Sequence, residues 1–339
     1  MNHTAFFEQV KKGNIQPVYL MEGTEEYIKQ QAVRQLCTKL LPAGLEELNL
    51  TDLTDPEADA LIAAAETLPF MADRRIVIIR ECSLLTAGKK AESEDKAAQI
   101  AEYVEHIPPT ACVVFFVKGK ADGRKKLYTL LKKKNAIVDF SPMSDAECAD
   151  WARRTMARMG KQMTPRTADK LVFTVGRDAA LLKQEMEKLA AYLADRPEVT
   201  EADIDAICTR STECTVFQMV DAQVAGRNDV AFGLLKDMVR AGEDRIGILA
   251  MLLRQYRILY HMRSLMDERA PQQSQASLLG IPPFAVSRTQ QQARRYDRAR
   301  LKEAYESLLD YEQQIKGGLT PQEGCAENAL LRLEAILRA

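Results

Sequence analysis

The stretch Gly23 to Gln30, GTEEYIKQ, is where the chain comes nearest to a phosphate-cradling loop. Laid on the pattern G-x-x-x-x-G-K-[ST], Gly23 and Lys29 fall in register, but Ile28 stands where the second glycine belongs and Gln30 where a hydroxyl would hold magnesium. A β-branched side chain cannot give the close backbone approach that glycine gives. Glu25 and Glu26 would set carboxylates against phosphate oxygens, and like charges repel. The third apolar run ends Ile79-Arg80-Glu81, with no aspartate to hold a metal. Gly23 therefore reads as a plain strand-to-helix turn, with no nucleotide expected at this degenerate loop.

Other catalytic constellations are missing from the pattern. The three histidines, His3, His106 and His261, have no metal-ligand or triad-like companion. Acidic residues fall at helix-surface spacing, as solvated faces do. The seven cysteines are scattered without a CxxC pair, so they read as small buried residues in a reducing compartment. No catalytic residue, metal site or cofactor is expected.

Two stretches could instead do the chemistry of contact. In Lys118 to Lys134, KGKADGRKKLYTLLKKK, Lys118, Lys120, Arg124, Lys125, Lys126, Lys132, Lys133 and Lys134 face Asp122 alone. Leu127, Leu130 and Leu131 give this stretch the buried face of an amphipathic helix, leaving the cations outward. It is either a solvated face or a surface that tracks phosphates, and Tyr128 is its one aromatic for base stacking. In Thr67 to Arg80, TLPFMADRRIVIIR, Pro69 ends a helix read over 56–66 and pushes Leu68 towards extended geometry. Phe70 and Met71 then stand between that helix and a buried strand. They either fold back into their own core or anchor in a partner's apolar pocket.

The elements that must position these residues divide the chain. Over residues 1–140, apolar runs at 18–21, 47–50, 75–79, 111–117 and 136–140 alternate with helical patterns. That order predicts βαβ units and a mostly parallel sheet. From Ser141 onward the pattern is helical. Ser144 and Glu147 form a capping box, Thr164-Pro165 opens the next helix, and a compact helical unit is expected over 141–210. A second block over 211–339 is punctuated by Gly226, Gly242 and Gly317-Gly318. Ala270 to Ala276, APQQSQA, reads as a polar loop.

At 339 residues the chain exceeds what one core serves, which predicts two or three domains. Hydrophobic residues at 46% and charged residues at 28% are globular composition. Forty-seven basic against 48 acidic residues leave a formal net charge of -1, so any nucleic-acid contact must come from a local patch. No apolar run reaches transmembrane length, and a soluble cytoplasmic protein with no membrane partner is expected.

In order and spacing, these segments resemble the delta subunit of the bacterial DNA polymerase III clamp loader. The resemblance rests on PVYLMEGTEE with its decayed loop, LPFMADRRIVIIR, DGRKKLYTLLKKKNAIVDF and VGRDAALLKQEMEKLAAY. It continues through GEDRIGILAMLLRQYRIL and LLGIPPFAVSRTQQQAR to the closing ALLRLEAILRA. It implies an α/β plus all-α architecture. Residues 1–140 would form a RecA-like AAA+ parallel-sheet domain, 141–210 a small helical lid, and 211–339 a helical collar.

The resemblance also implies a wedge, Phe70-Met71 with Leu68 alongside, that binds the beta sliding clamp and opens it for loading on primed DNA without hydrolysing ATP. The collar would join the gamma/tau motor subunits and delta-prime. Arg124, Lys125, Lys126, Lys132 and Lys133 would be available to DNA inside the assembly, and Arg177 would be the remnant of a lid sensor. The chain would then be a non-catalytic subunit of a DNA-directed DNA polymerase. Two alternatives remain open from the residues: an AAA+-like ATPase with a divergent P-loop, and a helical DNA-binding adaptor.

Overall fold

The computed structural model describes residues 1–86 and 94–338. The chain forms two compact units, one over Met1–Pro142 and one from Met143 onward.

The first unit is a five-stranded parallel sheet flanked by helices. In chain order its elements are α1 (His3–Lys11), β1 (Val18–Glu22), α2 (Glu26–Leu40), α3 (Glu46–Asn49), β2 (Leu50–Thr54) and α4 (Ala58–Glu66). They continue with β3 (Arg75–Arg80), α5 (Glu94–Glu105), β4 (Ala111–Phe116), α6 (Lys126–Lys133) and β5 (Ile137–Asp139). The strand order is β2-β3-β4-β1-β5. The inner strands VYLME, RIVIIR and ACVVFF are near-continuous apolar runs because helices cover both faces of a parallel sheet. Every residue of β1 and β4 is buried. The N-terminal helix α1, which periodicity did not single out, packs Phe6 edge-to-face on Tyr19 at 5.1 Å and on Phe140 at 6.4 Å.

Two expectations for this unit need correction. The second strand is not at 47–50: Glu46–Asn49 is a turn of helix, and the strand is Leu50–Thr54. As an edge strand, LTDLT is half exposed and half polar, so it carries no apolar run to find. The helix expected across Lys118 to Lys134 is confined to α6, and 118–125 forms the loop that leads into it.

The second unit is helical: α7 (Asp145–Arg158), α8 (Pro165–Val175), α9 (Ala179–Leu193), α10 (Glu201–Ile207), α11 (Thr212–Val224) and α12 (Asn228–Arg240). Then come α13 (Arg245–Asp267), α14 (Gln272–Leu279), α15 (Pro283–Ala293), α16 (Arg298–Lys316) and α17 (Cys325–Arg338). The capping box at Ser144 and Glu147 is present, and a second joins Thr200 to Asp203. Ser211 caps α11, so the second helical block opens at Thr212. The polar loop expected over 270–276 is instead largely the helix α14. Its Gln275 is buried, donating to the Ala270 carbonyl at 3.1 Å and accepting from Gln290 at 2.7 Å. Polar side chains satisfied in this way let a sequence without an apolar stripe lie against a core.

A buried polar link pins the centre of this unit. Tyr256 on α13 donates its hydroxyl to Gln223 of α11 at 2.9 Å, and Gln223 donates to the Leu330 carbonyl of α17 at 2.9 Å. Phe173 of α8 meets Phe217 and Phe284 edge-to-face at 5.4 and 5.3 Å, which ties the early helices to the later ones. Among the described residues no helix is long and apolar enough to cross a membrane.

Candidate functional site: an exposed apolar loop and a filled phosphate turn

Because the sheet is parallel, its two edges have different chemistry. The turn at Gly23 leaves the C-terminal end of β1, and Lys118 leaves the C-terminal end of β4. The loop from Thr67 enters the N-terminal end of β3. The two sites thus lie on opposite edges, separated by a six-residue strand of about 20 Å.

At the C-terminal edge, the groups that would cradle a phosphate are already engaged. Gly23 has φ +117°, and a Cβ there would stand 2.3 Å from the Phe140 carbonyl, so the turn admits only glycine. Its N–H donates to the Gly119 carbonyl at 2.7 Å, and the Glu25 N–H donates to the Phe140 carbonyl at 3.0 Å. Lys29 is fully buried. Its ammonium donates to Glu26 at 2.5 Å and to the Val117 carbonyl at 2.8 Å, and lies 4.7 Å from the centre of the Phe116 ring. Arg80 stacks on the same ring at 4.9 Å. Ile28 is buried on α2, while Gln30 is exposed. The lysine that would reach for phosphate oxygens instead fills the space with its own partners.

At the N-terminal edge, apolar side chains face water. Leu68, Phe70 and Met71 are 76, 53 and 77% exposed. Large apolar residues normally lie inside, and three within four residues make a local cluster rather than scattered singletons. The backbone beneath them is held. Phe70 donates its N–H to the Asn49 side-chain oxygen at 2.7 Å, and Asn49 donates back to the Phe70 carbonyl at 2.9 Å. Arg75, buried at the start of β3, donates to the Thr67 carbonyl at 3.2 Å and to the Thr51 hydroxyl at 2.9 Å. Arg74 reaches the Ile15 carbonyl at 3.0 Å. Met71 adopts φ +49°, a left-handed backbone that reverses the chain at the tip. Sequence reasoning named the tip but not its supports. The polar Asn49 inside the run LNL was the signal available.

The basic stretch is less free than its composition implied. Lys118 pairs with Glu81 at 3.1 Å, Lys120 with Asp139 at 3.9 Å, and Lys134 with Glu105 at 3.9 Å. Arg124 grips Asp122 with two bonds of 2.9 and 2.8 Å, and this grip lowers the Asp122 carboxyl to about 2. Lys125, Lys126, Lys132 and Lys133 make no ion pair among the described residues. They sit at the two ends of α6, whose Leu127 and Leu131 are buried. Seven residues of helix put the two pairs about 10 Å apart. In the second unit, Arg177 lies 3.7 Å from Asp145. Among the described residues, no group of three or more His, Cys, Asp or Glu is placed to hold a metal ion.

Residues 19–141 match the family model of the DNA polymerase III delta subunit, and residues 213–333 match the model of that subunit's C-terminal domain. A curated Bacillus subtilis protein, DNA polymerase III subunit delta, is 28% identical over 96% of this chain and 95% of its own length. A solved structure of the Bacillus subtilis DNA clamp loader delta protein matches with a TM-score of 0.58 and 26% identity, covering 99% of this chain and 100% of that one. A Thermotoga maritima RuvB Holliday junction branch migration motor matches with a TM-score of 0.36 and 13% identity, over 86% of this chain and 83% of that one.

Proposed function

We propose, for a chain that belongs to the DNA polymerase III delta-subunit family, that the loop Leu68-Phe70-Met71 is the wedge that binds the sliding clamp and holds its ring open. The observation that carries the reading is the exposure of these three side chains on a backbone fixed by Asn49 and Arg75. An apolar tip on a braced loop can enter a pocket with little further ordering, which is what a binding anchor needs. A ligand that prefers the open ring shifts the closed–open equilibrium by its difference in affinity for the two states. The work is mechanical and asks for no bond-making residue.

The filled turn at Gly23 supports a role without ATP hydrolysis. Lys29 is spent on Glu26, Val117 and Phe116, and the Gly23 and Glu25 amides are spent on carbonyls. The reading continues with a lid over 141–210 and a collar over 211–339, the collar joining the gamma/tau motor subunits and delta-prime. Lys125, Lys126, Lys132 and Lys133 would face primed DNA in the assembled loader in the cytoplasm. Arg124 is the weaker DNA contact of the stretch because Asp122 already occupies its guanidinium.

The test is binding of the isolated protein to the sliding clamp of the same organism, for wild type and for Phe70→Ala/Met71→Ala. If both residues are central anchors, each truncation costs about 2 kcal/mol or more. Tight binding unchanged by the double substitution would refute the wedge.

A further inference from the structure

We infer that Asn49 is a positioning residue for Phe70, holding the apolar tip in its binding conformation before any partner arrives. The inference rests on the reading of the loop as the clamp-binding wedge.

Asn49 is fully buried at the end of α3, the single helical turn before edge strand β2. Its carboxamide makes three hydrogen bonds. The oxygen accepts the Phe70 N–H at 2.7 Å, while the nitrogen donates to the Phe70 carbonyl at 2.9 Å and to the Leu45 carbonyl at 3.0 Å. Both amide protons and one oxygen lone pair are thus used. The pattern fixes the orientation of the amide: flipped, its NH2 would face an N–H and its oxygen would face two carbonyls. Asn49 therefore does for Phe70 what a neighbouring strand would do, pairing with both of its backbone groups where no strand runs.

The shape of that bridge matches a demand of the loop. Residues 67–74 lie between α4 and β3 without regular structure, so without a bridge their backbone would sample many conformations. Ordering such a loop on binding subtracts from affinity, and ordering it beforehand removes that cost. Carboxamide side chains are among the few that can both donate to and accept from one residue's backbone. Serine is too short to span both groups, and aspartate would set a carboxylate against two carbonyl oxygens.

A double-mutant cycle on the full chain separates positioning from general stability. Sliding-clamp affinity is measured for wild type, Asn49→Ala, Phe70→Ala and the double variant. Amide exchange at Phe70 is followed in the absence of the clamp. The expected results are a roughly tenfold weaker affinity for Asn49→Ala, which corresponds to about 1.4 kcal/mol, and Phe70 amide exchange at least about tenfold faster. The double variant loses less than the two single losses added together, because one of the anchors that the bridge positions is already gone. If Asn49→Ala does not fold, Asn49→Ser replaces it in the same cycle.

Losses that add in the double variant would overturn the inference and reduce Asn49 to a generally stabilising residue. So would unchanged affinity and unchanged Phe70 exchange in Asn49→Ala. If wild type and Phe70→Ala bind alike, the wedge reading fails at Phe70, and the positioning role falls with it. If Phe70→Ala loses binding while Asn49→Ala keeps it, the wedge stands and only the positioning role is refuted.

Discussion

Replacing Lys29 with methionine and with alanine separates two things that its buried side chain does. Methionine keeps an unbranched stem of similar reach and removes the ammonium. The Val117 carbonyl, bonded to Nζ at 2.8 Å, then loses that donor, which costs about 1–3 kcal/mol for a buried acceptor. The attraction to the Phe116 ring adds about 0.5–2 kcal/mol. Glu26 is 43% exposed and can turn to water, so its lost pairing costs at most about 1 kcal/mol. Against these losses stands the desolvation of a buried ammonium, several kcal/mol that the methionine variant no longer bears. The net for Lys29→Met is within about 2 kcal/mol of wild type. Alanine removes the stem as well and leaves a hole beside β1 and β4, a further cost of about 2–5 kcal/mol. Native-state hydrogen exchange of the β1 and β4 amides reads both numbers locally, and repeating it with magnesium-ATP tests the turn for nucleotide. Bound nucleotide at a hundredfold excess over its dissociation constant would add about 2.7 kcal/mol of protection. Lys29→Ala as stable as wild type, or ATP protection of Gly23 and Glu25, would refute the picture of a lysine absorbed into the core.

Charge reversal at Lys125 and Lys126 is expected to weaken DNA binding by the assembled loader. Each phosphate contact contributes a log–log salt slope of about −0.9 on duplex DNA, so the slope should flatten by about 2; DNA-stimulated loading left intact would remove α6 from the DNA path. The Asp122 carboxyl has its folded value lowered from 3.8 to about 2 by Arg124, so the contact is fully present above 3.8 and is lost as pH falls towards 2. A carboxyl-carbon NMR titration with its midpoint near 3.8 would show that the grip does not persist in solution.

The parts of the fold that were legible in the sequence were those where one face must be apolar. The runs VYLM, RIVII and ACVVFF announced inner strands because both faces of a parallel sheet are covered. Capping residues at Ser144 and Thr164 announced helix starts because exposed amides need acceptors. Elements held by polar bonding were not legible. The edge strand LTDLT draws its order from β3 on one side only, and α14 is seated by the buried Gln275 together with only two apolar contacts of its own, Ala276 and Leu279. At the candidate site, Pro69 and the large apolar pair after it made the tip visible. Its supports, Asn49 and Arg75, are 21 and 8 residues from the backbone groups they hold, a relation that no local spacing encodes. Likewise, the basic stretch counted as eight cations until folding brought Glu81, Asp139 and Glu105 to its flanks.

The central claim is that an apolar wedge, without nucleotide chemistry, holds the clamp open. The most direct measurement is the distance between two fluorophores placed across a protomer–protomer interface of the sliding clamp, followed as this chain is added without ATP. The account predicts a fall in energy transfer with wild type and none with Phe70→Ala/Met71→Ala. A ring that stays closed with wild-type chain bound at saturation, or that opens equally with the double variant, would contradict it.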